Sequence, residues 1–301
     1  MIGFIMILFV SFIFSGIIIR TKSIVSGRKG PGFFQPMKDI FRLWKKGAVY
    51  SKTSSIIFQI APSIYLASVL SAILVIPFGS HKGIISFDGD FLFFAYVLAL
   101  GKFFMIISSL DTGSSFSGMG ASREALYSML AEPAFFILIG CFSLMTGHTS
   151  FSDFFNSLHF GSYISYAIGA LAAYLLVMFA MIENSRMPVD DPKTHLELTM
   201  VHEVMILDNS GFDLGIILYT GNLKFAMYGA LIANFFFGGL SVYVDIIIFI
   251  AVQLFFAVII GLIESFMARF RMNHNPQFIF TLSSVALLIF IGILLIKNNL
   301  I

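Results

Sequence analysis

Long apolar stretches separated by short polar ones run along the whole chain. Residues 1–19, 53–81, 154–182, 225–244, 246–263 and 272–296 contain no Asp, Glu, Lys or Arg. A helix crossing a bilayer needs about 20 predominantly apolar residues, and these windows approach or exceed that length. Together with the apolar runs between them, they predict spans near 2–19, 55–77, 91–110, 125–146, 161–183, 225–243, 246–264 and 277–296. Glu132 and Pro133 interrupt the fourth. The expected fold is therefore an all-α polytopic membrane protein of about eight transmembrane helices. It forms one membrane domain over residues 1–301, with no soluble domain.

One polar stretch carries a different period. After Pro36, apolar residues at 37, 40, 41, 43 and 44 alternate with charged ones at 38, 39, 42, 45 and 46. That spacing predicts a helix with one apolar and one basic face, lying in the interface rather than crossing it. Composition agrees with the span count. Only 11% of the 301 residues are charged and 58% are hydrophobic, whereas soluble domains carry roughly a quarter charged residues. Repeated apolar segments, rather than alternating ten-residue strands, argue against an outer-membrane barrel. A net charge of +2 gives no footprint for nucleic acid. Cys141, the single cysteine, cannot ligate an iron–sulfur cluster or form an internal disulfide. The first positive charge, Arg20, follows the N-terminal apolar run, so segment one is read as a retained span rather than a secretory signal.

The basic residues orient the spans. Nine of the 18 Lys and Arg lie between spans one and two, and fifteen fall on the same side of the predicted bundle. By the positive-inside rule, the loops near 20–54, 111–124, 184–224 and 265–276 face the cytoplasm. Both termini are then extracytoplasmic, in a multi-pass protein of the inner membrane. The opposite side holds only Lys82 and Lys297.

Charge persists within or beside the spans at Lys102, Asp111, Glu124, Glu132, Glu183, Glu203, Asp245 and Glu264. An ionisable residue within a span costs roughly 2.5–3.5 kcal/mol on insertion scales, and such groups are paired or line a polar path. Lys102 needs a partner, expected from a carboxylate on span four or five. Simpler readings compete for the others. Glu183 and Arg186 are three apart and fit a helix-end salt bridge. Asp245 fits a solvated loop residue, and Glu264 with Arg269 and Arg271 fits a span terminus. The loop from Glu183 to Gly211 places Pro188 and Pro192 before an expected helix capped by Asp191 or Thr194, with His195, Thr199 and His202 on one face. His202-Glu203 lacks the second histidine of a H-E-x-x-H motif, so no metal site is expected. Hydrogen bonding of His195, His202, Glu197 and Glu203 toward a partner is expected instead.

Pro188-Val189-Asp190 after Glu183-Asn184-Ser185-Arg186 resembles the signature loop of the membrane subunit that anchors the peripheral arm in respiratory complex I. The relatives of that family include the membrane anchors of energy-converting and formate-hydrogenlyase-type nickel–iron hydrogenases. The Arg28-to-Lys46 stretch is similar to the family's Gly-Pro, Gln-Pro and Asp-x-x-Lys-Leu pattern. Leu110 to Phe116, Gly120 to Ala125 and Met267 to Arg271 resemble the hydrogenase branch. The stretch from His195 to Asp208 departs from the family's acidic segment.

The resemblance implies a membrane-anchoring and ion-coupling subunit, non-catalytic alone, in a hydrogenase-like oxidoreductase. It implies proton or sodium relay positions at Glu124, Glu132, Glu183, Glu197 and Lys102. Partner-docking positions are Arg28, Gln35, Asp39, Asp111, Arg123, Arg186, Asp190, His195, His202 and Glu203. No cofactor is expected in this chain; a nickel–iron centre and iron–sulfur clusters are expected in the partner subunits. Expected partners are cytoplasmic large and small subunits, antiporter-like membrane subunits and the lipid bilayer. Two alternatives stay open: a quinone-chamber subunit of a respiratory NADH dehydrogenase, and a stand-alone ion channel or transporter.

Overall fold

The computed structural model describes residues 1–79, 81–157, 163–190, 200–237 and 241–297, excepting the side chains of 163–166. Among these residues it contains eleven helices: α1 (Ile2–Val25), α2 (Gln35–Trp44), α3 (Ile56–Val75), α4 (Asp90–Asp111), α5 (Ser115–Thr146), α6 (Phe151–Ser157), α7 (Tyr163–Glu183), α8 (His202–Met205), α9 (Gly211–Asn234), α10 (Val242–Phe266) and α11 (Asn275–Lys297). Seven of them are long and apolar enough to cross a membrane, and α7 adds a shorter apolar helix over Ala167–Glu183. The all-α polytopic expectation holds.

The sixth span lies elsewhere than the charge-free window suggested. The predicted span runs over 225–243, whereas α9 begins at Gly211 and ends at Asn234. The third connector at the basic end therefore stops near residue 210, and Lys224 belongs to a helix rather than a loop. The physical reason is the position of α9. It packs against α1, α2, α3, α7 and α10, and 89% of its most apolar 18-residue stretch is buried, against 33–44% for the other six spans. A helix surrounded by protein need not be lipophilic, so α9 is the least hydropathic of the seven and carries Asp213, Asn222 and Lys224 inside the bundle.

The connector expected at 111–124 also contracts. Only residues 112–114 separate α4 from α5, so Arg123 and Glu124 sit on α5, whose 32 residues continue through Pro133. Asp111 accepts a hydrogen bond from the Ser55 backbone N–H at 2.6 Å, and the Ser55 hydroxyl accepts one from Ile57 N–H, together capping α3.

The amphipathic α2 forms as its spacing predicts, with Pro36 in its first turn, where a missing N–H costs nothing. Its apolar face meets the bundle: Phe41 stacks on Phe12 of α1, and Trp44 meets Tyr219 of α9 edge-on. Lys38, Arg42, Lys45 and Lys46 stay exposed. The chain after α2 is clamped to the start of α9. Val49 N–H donates to the Ser210 hydroxyl at 3.0 Å, and Trp44 lies against Gly215. The Asp213 carboxylate beside Tyr50, together with burial, pushes the phenol above its ordinary pKa. Gly211 has φ +54°, and a Cβ there would collide with the Gly47 carbonyl oxygen.

That contact generates a stability prediction. Gly211→Ala should lower stability by about 1–3 kcal/mol, through overpacking and an unfavourable φ, visible as a lower thermal midpoint of the detergent-solubilised protein. Gly32→Ala, where an added methyl meets open space, should change stability by less than about 0.5 kcal/mol. Equal midpoints for the two variants would show that the loop is not clamped to α9.

Candidate functional site

Four helices bring four charged side chains together inside the bundle. Lys102 comes from the middle of α4, Glu124 from the third turn of α5, Glu183 from the end of α7 and Lys224 from α9. The Lys102 Nζ lies 3.0 Å from Glu124 Oε1 and 2.9 Å from Glu183 Oε1. The second Glu183 oxygen, Oε2, lies 2.8 Å from Lys224 Nζ, which also donates to the Glu183 carbonyl at 3.3 Å. All four are buried, and Lys224 is 0% exposed. The order is Glu124–Lys102–Glu183–Lys224, alternating in sign and formally neutral. The partner expected for Lys102 on span four or five is present on both.

The end of α7 shows how the backbone serves this cluster. Arg186 N–H donates to the Met181 carbonyl, and Ser185 N–H to that of Ile182. This is the Schellman pattern, whose turning residue is usually glycine. Here it is Ser185, at φ 47°. A serine in that conformation is uncommon, and its hydroxyl donates to Glu124 Oε2 at 2.9 Å. The helix terminator thus also ties α7 to the carboxylate on α5.

The expected Glu183–Arg186 salt bridge is not the observed pairing. Arg186 instead reaches Glu264 Oε1 at 3.2 Å, while Lys22 of α1 holds Glu264 Oε2 at 2.9 Å. Glu264 is therefore the buried centre of a second ionic group rather than a terminus paired with Arg269 and Arg271. Arg269 pairs with Asp190 at 2.9 Å, and Asp190 Oδ2 also accepts the Val201 and His202 N–H groups. Arg123 donates to the Met200 carbonyl at 2.9 Å. These groups bind the connectors of the basic end to one another.

The remaining expected positions lie in different surroundings. Arg28, Gln35 and Asp39 lie on the surface of that end, with Gln35 donating to Asp39 at 2.7 Å. Glu203 lies partly buried on the short α8. His195 and Glu197, with the expected Asp191 or Thr194 cap, lie outside the described residues. Glu132 is exposed on the outer face of α5, yet it lines the same opening as Lys102, Glu183 and Tyr228, a space of about 60 Å³ also bordered by Tyr96 and Phe136. That volume accommodates a short file of water molecules. Asp245, expected in solvent, is buried in the first turn of α10. Lys224 and Ser185 are the site residues that sequence reasoning missed. Lys224 looked like one more loop cation, and a positive φ leaves no mark on a serine.

Chemically, Lys102 is poised between two carboxylates at nearly equal distances. In a low-dielectric interior each charge strongly affects the others. A proton delivered to either glutamate releases part of a lysine's pairing, and that lysine can lean toward the other acid. Among the described residues no group of three or more His, Cys, Asp or Glu side chains is placed to hold a metal ion.

Outside the spans, burial holds the His202 imidazole below its ordinary pKa; Lys224, Lys102 and Arg186 add to this, while Glu124 opposes it. Its unfolded value is near 6.5, so the unfolded chain binds the proton more readily. The stability this group contributes is complete above about pH 6.5 and is lost as pH falls through the lowered folded value. The thermal midpoint should drop between about pH 7.5 and about pH 5, and His202→Asn should shrink that drop; an unchanged drop in the variant would remove His202 as its source. A second prediction concerns Lys224. Lys224→Met leaves Glu183 short of a counter-ion and should cost about 3–5 kcal/mol. The double variant Lys224→Met, Glu183→Gln should recover much of that loss in the same melting experiment, and no recovery would show that the pairing is not what holds Lys224.

Comparison with known proteins supplies the wider setting. The NADH dehydrogenase family matches residues 1–295. The chain is 30% identical over 225 residues to "Hydrogenase-4 component C" of Escherichia coli (strain K12), covering 74% of this chain and 70% of that protein. It is 27% identical over 292 residues to "Formate hydrogenlyase subunit 4" of the same organism, covering 93% of each. Among solved structures, a chain of the membrane-bound sulfane sulfur reductase, an archaeal respiratory membrane complex, superposes with a TM-score of 0.83 over 96% of both chains at 18% identity, which shows a shared fold. With a match over nearly the whole length and the multi-span helical architecture in place, the chain belongs to the NADH dehydrogenase family, as one of its membrane subunits.

Proposed function

We propose that this protein is the membrane-anchoring and coupling subunit of a multi-subunit, hydrogenase-type oxidoreductase. Its basic end faces the cytoplasm and receives the redox arm, whose large and small subunits carry the nickel–iron centre and iron–sulfur clusters. Antiporter-like membrane subunits adjoin the bundle laterally. The observation that carries this reading is the buried line Glu124–Lys102–Glu183–Lys224. It sits beneath connectors that are themselves cross-linked by Glu264, Asp190 and Arg123. A push on those connectors reaches the line through Ser185, which follows Glu183 and Asn184 and bonds Glu124. The similarity to hydrogenase-4 component C and formate hydrogenlyase subunit 4 supports the hydrogenase branch. A quinone-chamber role is the second reading, favoured by the NADH dehydrogenase family match. Nickel in the co-purified complex separates the two. A channel or transporter acting alone would leave the tightly bound basic end without a task.

The test is made on the intact complex in sealed membrane vesicles. Glu183→Gln should leave assembly in place and sharply lower the number of ions moved per electron. Glu132→Gln should do the same more mildly, because Glu132 lines the opening and no ion pair holds it among the described residues. Wild-type stoichiometry in both variants would remove them from the relay. Purification of the chain without nickel–iron or iron–sulfur partners would overturn the assignment to a redox complex.

A further inference from the structure

At the end of the bundle opposite the basic connectors, Asp245 is 1% exposed, and among the described residues neither carboxylate oxygen has a hydrogen-bond partner. A buried carboxylate without donors is costly in a membrane protein, where backbone and side-chain polar groups must find partners inside the fold. The connector after α3 is shaped around it. Phe78 and His81 exchange backbone hydrogen bonds at 3.0 Å each, closing a tight turn in which Gly79 takes φ +58°. A Cβ on Gly79 would collide with Asp245 Oδ2, so the turn leaves room for the acid and no more.

His81 belongs to the same turn, two residues from the Gly79 that packs on Asp245, and is exposed. It also lines an open cavity of about 330 Å³ bordered by Met1, Phe4, Ile76, Phe78 and Lys82. The neighbouring cation Lys82 is engaged by Asp153 at 3.3 Å. Asn234, at the end of α9, anchors the connector by donating to the Pro77 carbonyl at 3.0 Å, and its own oxygen has no donor. Just over two turns inward along α10, Gln253 donates to the Ala226 carbonyl at 2.7 Å, two residues from Lys224, and its oxygen also lacks a donor. Tyr228, whose hydroxyl is likewise unpartnered, lines the opening shared by Lys102 and Glu183. Polar groups thus mark the α9–α10 seam from Asp245 to the central cluster.

We propose that His81 and Asp245 form a proton-exchange site at the end of the bundle remote from the redox arm, opening to the aqueous phase through the cavity beside His81. The step is a simple transfer. The His81 imidazolium gives its proton to the Asp245 carboxylate through an intervening water and becomes neutral, and water on that face returns a proton to His81; release runs in reverse. The site deepens the coupling role proposed above and rests on it, naming the proton as the ion exchanged here. It also places an exchange group within this chain, separate from the lateral opening at Glu132.

The test uses the intact complex in proteoliposomes, reading protons moved per electron. Asp245→Asn should lose proton movement and Asp245→Glu should retain it. His81→Ala should lower it, with restoration by imidazole added on the face that bears His81. If Asp245→Asn keeps the wild-type ratio while Glu183→Gln loses it, the exchange site is overturned and the central relay stands. If both keep the ratio, both fall. A structural check is independent of coupling: in this chain the native thiol Cys141 is buried and His81 is exposed, so this chain's band should be labelled in His81→Cys by a small membrane-impermeant thiol reagent added on the face remote from the basic connectors. Failure to label would overturn the opening of the site to that aqueous phase.

Discussion

The Glu183 carboxylate, with one oxygen on Lys102 and the other on Lys224, is the interaction on which the interior depends. It joins α4, α7 and α9, and Lys102 extends the junction to α5 through Glu124. Two magnitudes show why the group must be complete. Each charge carries an insertion cost of roughly 2.5–3.5 kcal/mol. Each opposite-charge pair gains roughly 4 kcal/mol at a separation of 4 Å in a medium of effective dielectric near 20. The terms are of similar size, so neither wins alone, and an unpartnered member becomes a liability. A cluster balanced in this way is sensitive to one added or removed proton, which is the property a coupling element requires.

The two ends of the bundle are held by different forces. At the basic end, Glu264 between Lys22 and Arg186, Asp190 with Arg269, and the Arg123–Met200 contact join connectors that are far apart in sequence. At the opposite end, packing is aromatic: Phe78 meets Phe237 and Phe249, and Phe142 and Phe155 meet Phe235. Ionic contacts have directional geometry and respond to charge, whereas aromatic packing mainly excludes water. Polar contacts occur at that end too: Lys82 pairs with Asp153, Asp90 accepts from Ser150 and the Phe151 N–H, and the turn around Asp245 encloses a buried acid.

Much of this was legible in the sequence because two rules act locally. Charge-free length marks lipid-facing spans, and seven of the eight expected spans overlap their helices with boundaries shifted by only a few residues, apart from the basic-end extension of α5. The 3.6-residue period of the stretch after Pro36 marks α2, since an interfacial helix must separate its faces. Lys102 announced its need for a carboxylate by its position alone. Local rules failed where the surroundings were protein rather than lipid. α9 contains Lys224 because neighbours on every side replace the solvent, and a loop reading of that lysine followed from assuming lipid around any span.

The sequence alone determined the class of the molecule, the places of most of its spans and the presence of buried charge, because hydropathy and the cost of ions in hydrocarbon act residue by residue. Only the tertiary structure decided which charges meet. Glu183 chose Lys102 and Lys224 over Arg186, three residues away, because the α7 terminus turns Arg186 toward Glu264 on α10 while Glu183 points into the bundle. Asp245 likewise became a buried acid only when a turn from a distant connector closed over it. Pairing is a property of the assembled helices, since the distances that set it span up to 242 residues of chain.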